Sequence, residues 1–263
     1  MTATTELSPA ARTGVRDLIL ALADSKRLLG MRYANWMLGA PELETGIACA
    51  SMAQDEWGHA RLLYALLKDF DEDVEQLEHG REPGGYANME LLDRAPDSWA
   101  ELVTLMALAD AALTVQFEAL SECCYPPLKQ RVEKLCEEER FHAAHGAAWF
   151  RRLASGAESR VALESAVTAA AEPLLRWFGP DSEQARTLVD EQVMDAAGSD
   201  LRERFLTRVA PLLDVIALAD HYRGLQPDFT DFDPARHRPA NTRPDEATIQ
   251  QLRGDLNRAF LMD

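Results

Sequence analysis

Residues 49–67 read CASMAQDEWGHARLLYALL, and at the 3.6-residue period of a helix Cys49, Met52, Glu56, His59, Leu63 and Leu66 fall on one face. That face is apolar except for a carboxylate and an imidazole one turn apart. The stretch CEEERFH at 136–142 repeats the arrangement, because the series Leu128, Val132, Leu135, Glu139, His142, Gly146, Trp149 is interrupted in the same way. Further out, the series Trp99, Leu102, Met106, Asp110, Leu113, Phe117, Leu120 is broken by one aspartate, and Leu18, Leu22, Lys26, Leu29, Tyr33, Trp36 by one lysine. These stripes predict long helices over 14–39, 41–70, 97–121 and 126–154.

Gly39-Ala40-Pro41, the polar stretch DEDVEQLEHGREPGG at 71–85 and Tyr125-Pro126-Pro127 supply the breaks between them. Shorter helices are predicted over 157–178, 182–195 and 198–219. Alanine, leucine, glutamate and arginine dominate, while β-branched runs and hairpin dipeptides are scarce, so the fold class is all-α. The organisation expected is one helix-bundle domain over 1–225, followed by an irregular tail over 226–263 with a short helix that wraps the bundle or a partner.

The 263 residues carry 27 Lys+Arg against 44 Asp+Glu, a formal charge of -17, which disfavours nucleic acid and anionic membrane surfaces as partners. A hydrophobic fraction of 47% is enough for one sizeable core. The opening MTATTELSPAARTG has no apolar stretch of the signal-peptide kind, and Cys49, Cys123, Cys124 and Cys136 follow no regular spacing. A cytoplasmic protein with reduced thiols is expected. No run reaches the roughly 18 uninterrupted apolar residues of a membrane span.

Glu56-x-x-His59 and Glu139-x-x-His142 each place a carboxylate and an imidazole one turn apart, so both can reach the same point in a bundle core. A Glu-x-x-His on each of two helices, with single carboxylates on the other two, is the ligand pattern of di-iron and di-manganese carboxylate bundles. Asp110 supplies one single carboxylate. Burying three carboxylates near one another is costly through desolvation and repulsion, and a divalent cation would offset that cost. Mixed oxygen and nitrogen donors suit iron, manganese or zinc rather than magnesium or calcium. Cys136, one turn before Glu139, reads as a small core residue.

The segments Gln54-Asp55-Glu56-Trp57-Gly58-His59 and Cys136-Glu137-Glu138-Glu139-Arg140-Phe141-His142 resemble the two metal motifs of the catalytic subunit of the bacterial phenylacetyl-CoA epoxidase family. Asn35-Trp36, Ala40-Pro41, Cys124-Tyr125 and Pro127 support the likeness, which covers residues 20–155 well. It extends weakly to about 235 through Trp177-Phe178-Gly179-Pro180 and Leu201-Arg202-Glu203-Arg204-Phe205. The resemblance implies a ferritin-like four-helix bundle with additional C-terminal helices. It also implies an iron site, with manganese as the substitute, that activates dioxygen toward an aryl-CoA thioester. Carried over residue by residue, it makes Glu56, His59, Asp110, Glu139 and His142 metal ligands. The family's non-metal sister subunit lacks the two Glu-x-x-His motifs, which this chain has.

The departure is Lys26, which stands where the family has a ligating glutamate on the first helix. With Glu56, Asp110 and Glu139 ionised, two divalent ions and an ammonium leave the pocket at +2, a poor balance in a low-dielectric core. One ion with a charged Lys26 sums to zero, as does no ion with Lys26 and both histidines protonated. Two ions remain compatible with a deprotonated or covalently modified Lys26.

The leading reading is an oxygenase in which these five ligands bind two ions, or one because of Lys26. Lys26 then acts as a proton donor or charge modulator. The expected partners are an aromatic or CoA-thioester substrate, a reductase and a homologous bundle subunit in a homo- or hetero-oligomer. Lys129, Arg131 and Lys134, or Arg151 and Arg152, are the basic groups available for CoA phosphates. One alternative is a non-catalytic scaffold subunit with a metal-free salt-bridge network around Lys26. Another is a ferritin-like iron oxidase or self-modifying oxygenase using Lys26 or Tyr33. Plainer roles also exist for single residues: Lys26 could snorkel to water, and Asp110 could cap a kink. His145 is placed at the rim, His79, His221 and His237 are expected in water, and Cys123-Cys124 is expected to be structural.

Overall fold

The computed structural model describes residues 7–254, so residues 1–6 of the opening segment and 255–263 of the tail lie outside the described residues. In chain order the helices are α1 (Pro9–Asn35), α2 (Leu43–Leu66), α3 (Val74–His79), α4 (Trp99–Thr104) and α5 (Asp110–Glu118). They continue with α6 (Pro126–Ser155), α7 (Ala157–Arg176), α8 (Glu183–Asp190), α9 (Ser199–Leu213), α10 (Ala219–Gly224) and α11 (Glu246–Leu252). A two-residue antiparallel ladder, β1 (Phe232–Asp233) with β2 (Arg238–Pro239), lies in the tail. The fold is an all-α ferritin-like bundle in which α1 packs along α2, and the α4–α5 rod packs along α6.

α1 begins at Pro9 rather than at 14, because the Ser8 hydroxyl accepts from Ala11 N and proline occupies the first helical position. Its interior departs from the one-sided stripe read from the sequence. Every residue from Asp17 to Tyr33 is buried, since α2, α8, the segment after α2 and the tail enclose the helix on all sides. The polar residues off the stripe are therefore engaged individually. Asp24 accepts from Arg81, from Tyr64 and, at 2.8 Å, from Ala87 N. Ser25 Oγ accepts from Met89 N at 2.9 Å. Arg32 donates to Leu92 O at 2.6 Å and to Thr248 Oγ1 at 2.7 Å, which ties α11 onto α1. The tail wraps the bundle: buried Arg238 also donates to Asp93 and, at 3.0 Å, to Asn88 O.

Two helices end earlier than read from the sequence. α8 stops at Asp190 and α9 at Leu213, followed by Gln192 (φ 58°) and Ala217 (φ 58°) in the left-handed region. Helix-terminating residues of that conformation are usually glycine, so these two left no mark in the sequence. By length and mean hydropathy Trp99–Glu118 would suffice to cross a membrane, but 83% of its apolar window is buried inside the bundle, the position of a core helix.

Between α4 and α5, residues Leu105–Ala109 form a π-turn that widens the helix immediately before Asp110. α6 approaches this turn at Gly146, where a Cβ would lie 2.7 Å from the backbone oxygen of Met106. Gly146→Ala must push the two backbones apart and should cost about 1–3 kcal/mol. Gly58→Ala on α2 meets nothing within 4 Å and should be neutral or stabilising by about 0.5–1 kcal/mol. Urea unfolding of the pair checks both signs.

Candidate metal centre

Six residues from four elements meet inside the bundle. Lys26 comes from α1, Glu56 and His59 from α2, Asp110 from the start of α5, and Glu139 and His142 from α6. None is more than 2% exposed, so the ordinary alternative of a lysine head in water does not occur. Lys26 Nζ stands at the centre, 3.0 Å from both oxygens of Glu56, 2.8 Å from Asp110 Oδ1 and 2.7 Å from Glu139 Oε1. Burial alone would push its pKa down, but Asp110, Glu139 and Glu56 outweigh burial and hold it well above the ordinary lysine range. The same attraction keeps Glu56 and Glu139 below the usual carboxylate range despite their burial.

The two histidines point their Nδ1 atoms inward. His142 Nδ1 lies 3.2 Å from Glu56 and 3.4 Å from both Asp110 and Glu139, without alignment for a directed hydrogen bond to any of them. His59 Nδ1 approaches only one side of the cage, 3.3 Å from Glu139 and 3.8 Å from Glu56. Burial lowers both imidazoles, but the surrounding carboxylates prevail, raising His59 to about 9 and His142 well above its usual range.

The outer nitrogens carry a feature that sequence reasoning missed. His59 Nε2 pairs with Glu138 at 2.6 Å, and His142 Nε2 with Asp55 at 3.3 Å. Each histidine is thus held by the acidic residue that immediately precedes the glutamate of the opposite helix. The signal was present, since both motifs read acid-Glu-x-x-His, but only the helix pairing shows that the contacts are exchanged.

Glu56, Asp110, Glu139 and His142 each offer one ligand atom, all within 4.8 Å of one another, a grouping that could hold a metal ion. Glu56 Oε2, Glu139 Oε2, His59 Nδ1 and His142 Nδ1 are buried without hydrogen-bond partners. Leaving such atoms unpaired is costly, and a cation among them would satisfy all four, so the donor set fits a metal. Beside it, Tyr33 Oη donates to Asp110 Oδ2 at 3.4 Å, and its ring meets that of His142 edge-on at 6.4 Å.

Residues read as peripheral divide. His145 is half-buried, with Nε2 closed off from water and unpaired, and burial lowers its pKa. His79 and His221 are exposed as expected. His237 is not in water: the tail folds its ring against Trp177 and Phe232, at 4.9 and 5.6 Å, and burial lowers it to about 4. Cys136 packs against the core, its thiol pushed up to about 11 by burial. The basic groups considered for CoA phosphates are largely engaged. Lys129 is bound to Glu122, Lys134 to Glu138 and Arg152 to Glu42, while Arg131 holds the carbonyls of Leu62 and Pro127.

The sequence pattern of a family described as Phenylacetic acid catabolic protein matches residues 1–222. A curated relative, one of the subunits of the 1,2-phenylacetyl-CoA epoxidase of Escherichia coli (strain K12), is 29% identical over 141 residues. That match spans 53% of this chain and 57% of the relative, little more than half of either.

The pKa values give the chelator-treated protein a defined pH dependence. Because His59 is raised from 6.5 to about 9, its contribution is complete below 6.5 and disappears as pH rises through about 9. Glu56 and Glu139 are lowered, so their contributions are complete above 4.5 and are lost as pH falls through their folded values. Stability of the chelated protein should peak between 4.5 and 6.5 and fall by up to about 3 kcal/mol on the alkaline side. Denaturant titrations across pH check this, and His59→Gln should flatten the alkaline limb.

Proposed function

The chain belongs to the phenylacetic acid catabolic protein family, and from that premise and the cage around Lys26 we propose that it is the bundle component of a metal-dependent oxygenase. In this reading Glu56, Asp110, Glu139, His142 and His59 hold iron, with manganese as the substitute. The observation that carries it is the exchanged support of the two imidazoles, whose Nε2 atoms face Glu138 and Asp55 while both Nδ1 atoms face the carboxylates unpaired. A carboxylate on the outer nitrogen fixes the tautomer that leaves the inner nitrogen free to ligate, and raises its basicity. A core built only as a salt bridge gains nothing from this arrangement, since apolar residues of similar volume are often as stabilising.

A bound redox metal would supply electron transfer to dioxygen at coordination positions the protein leaves open. The chain's own residues exclude water, orient the imidazoles and hold protons at Lys26 Nζ and Tyr33 Oη beside Asp110. The relative belongs to an epoxidase named for phenylacetyl-CoA, and by analogy the substrate class is an aromatic or other acyl-CoA thioester. The proposal is completed by a reductase and a second, homologous bundle protein. CoA phosphates would have to break the pairs that Lys129 and Arg152 make with Glu122 and Glu42, or bind on another protein of the assembly.

One observation favours a second reading. Lys26 bonds all three carboxylates, so with both histidines protonated the core is neutral without any metal, as a non-catalytic scaffold requires. Elemental analysis of protein purified without chelator separates the two. Iron or manganese near stoichiometry, lost in Glu56→Ala and His142→Ala, is the expected result; traces of iron, manganese and zinc in every preparation would leave the scaffold.

A further inference from the structure

Resting on the metal-binding reading above, we propose that Lys26 is a built-in second cation: its ammonium occupies the place of one metal ion, so that this centre takes a single divalent ion. The placement is direct. Nζ is 2.7–3.0 Å from oxygens of Glu139, Asp110 and Glu56, so it already uses the carboxylates that two ions would have to share. It is fully buried, and its stem rises from the middle of α1, where every residue from Asp17 to Tyr33 is enclosed.

Charge gives the same answer. Three carboxylates balance one divalent ion and one ammonium with neutral imidazoles, whereas a second ion adds two uncompensated positive charges to a site screened from water. α1 offers no carboxylate to restore the balance. Its stripe neighbours on either side of Lys26 are Leu22 and Leu29, and its buried Asp24 is consumed by Arg81, Tyr64 and Ala87 N. The donor count agrees: three carboxylates and two imidazoles are ample for one ion and sparse for two. A lysine in this position also keeps the bundle intact when no metal is bound, so folding does not wait on metal supply.

The test loads chelator-treated protein with Mn²⁺ and reads bound metal per chain by elemental analysis, together with the electron paramagnetic resonance spectrum. Wild type should bind one ion with the six-line signal of an isolated Mn²⁺. Lys26→Glu, folded by circular dichroism, should bind two with an exchange-coupled spectrum. Two ions in wild type, or one in Lys26→Glu, would overturn the proposal and leave the metal-binding reading standing. No ion in either would remove that reading and the proposal with it. Should Lys26→Glu fail to fold, Lys26→Met replaces it: the metal-free variant should melt below wild type, recover on adding Mn²⁺ and bind the ion about tenfold tighter or more. A Lys26→Met protein as stable as wild type without metal, with unchanged Mn²⁺ affinity, would overturn the proposal.

Discussion

One ammonium held by carboxylates from three other elements is the contact on which the bundle interior is organised. Lys26 Nζ receives Glu56 from α2, Asp110 from the start of α5 and Glu139 from α6, so a single group fixes the mutual placement of four helical segments. In a medium of low dielectric such a group is rigid, because displacing any one partner leaves an uncompensated charge. The π-turn before Asp110 and the glycine at 146 belong to the same requirement. The widened turn lies against α6 where a side chain at 146 would hold it away, close to where Asp110 enters the cage.

Around that centre α2 and α6 are arranged as near equivalents. Each carries acid-Glu-x-x-His, and each supplies the outer carboxylate for the other's imidazole. The exchange couples the two helices twice, on both sides of the cage. It also explains why polar residues at 55 and 138 belong to the site although neither lies on the buried stripe. α1 and α5 break the equivalence, one contributing a cation and the other an anion.

Much of this was legible in the sequence, for a definite reason. Lys26, Glu56, His59, Asp110, Glu139 and His142 each interrupt an apolar stripe at helical spacing, and burial of a stripe forces its interruptions inward together. What escaped followed different physics. The enclosure of α1 on all sides is a property of its neighbours, so Asp24, Arg27 and Arg32 looked like a solvated face although each has a partner inside. The left-handed residues Gln192 and Ala217 end helices without glycine, and the burial of His237 depends on where the tail folds back. None of these is encoded in local periodicity.

The enclosure of α1 bears on how the chain acquires its structure. Arg32 reaches Thr248 across 216 residues of sequence, and at roughly 5–20 residues per second of synthesis α1 leaves the ribosome some tens of seconds before that partner exists. Through that interval a helix carrying Lys26, Asp24 and Arg32 among leucines has neither water-free surroundings nor its counterions. The charges that seem out of place in the finished core keep the nascent segment soluble, and they become internal only when the later helices arrive.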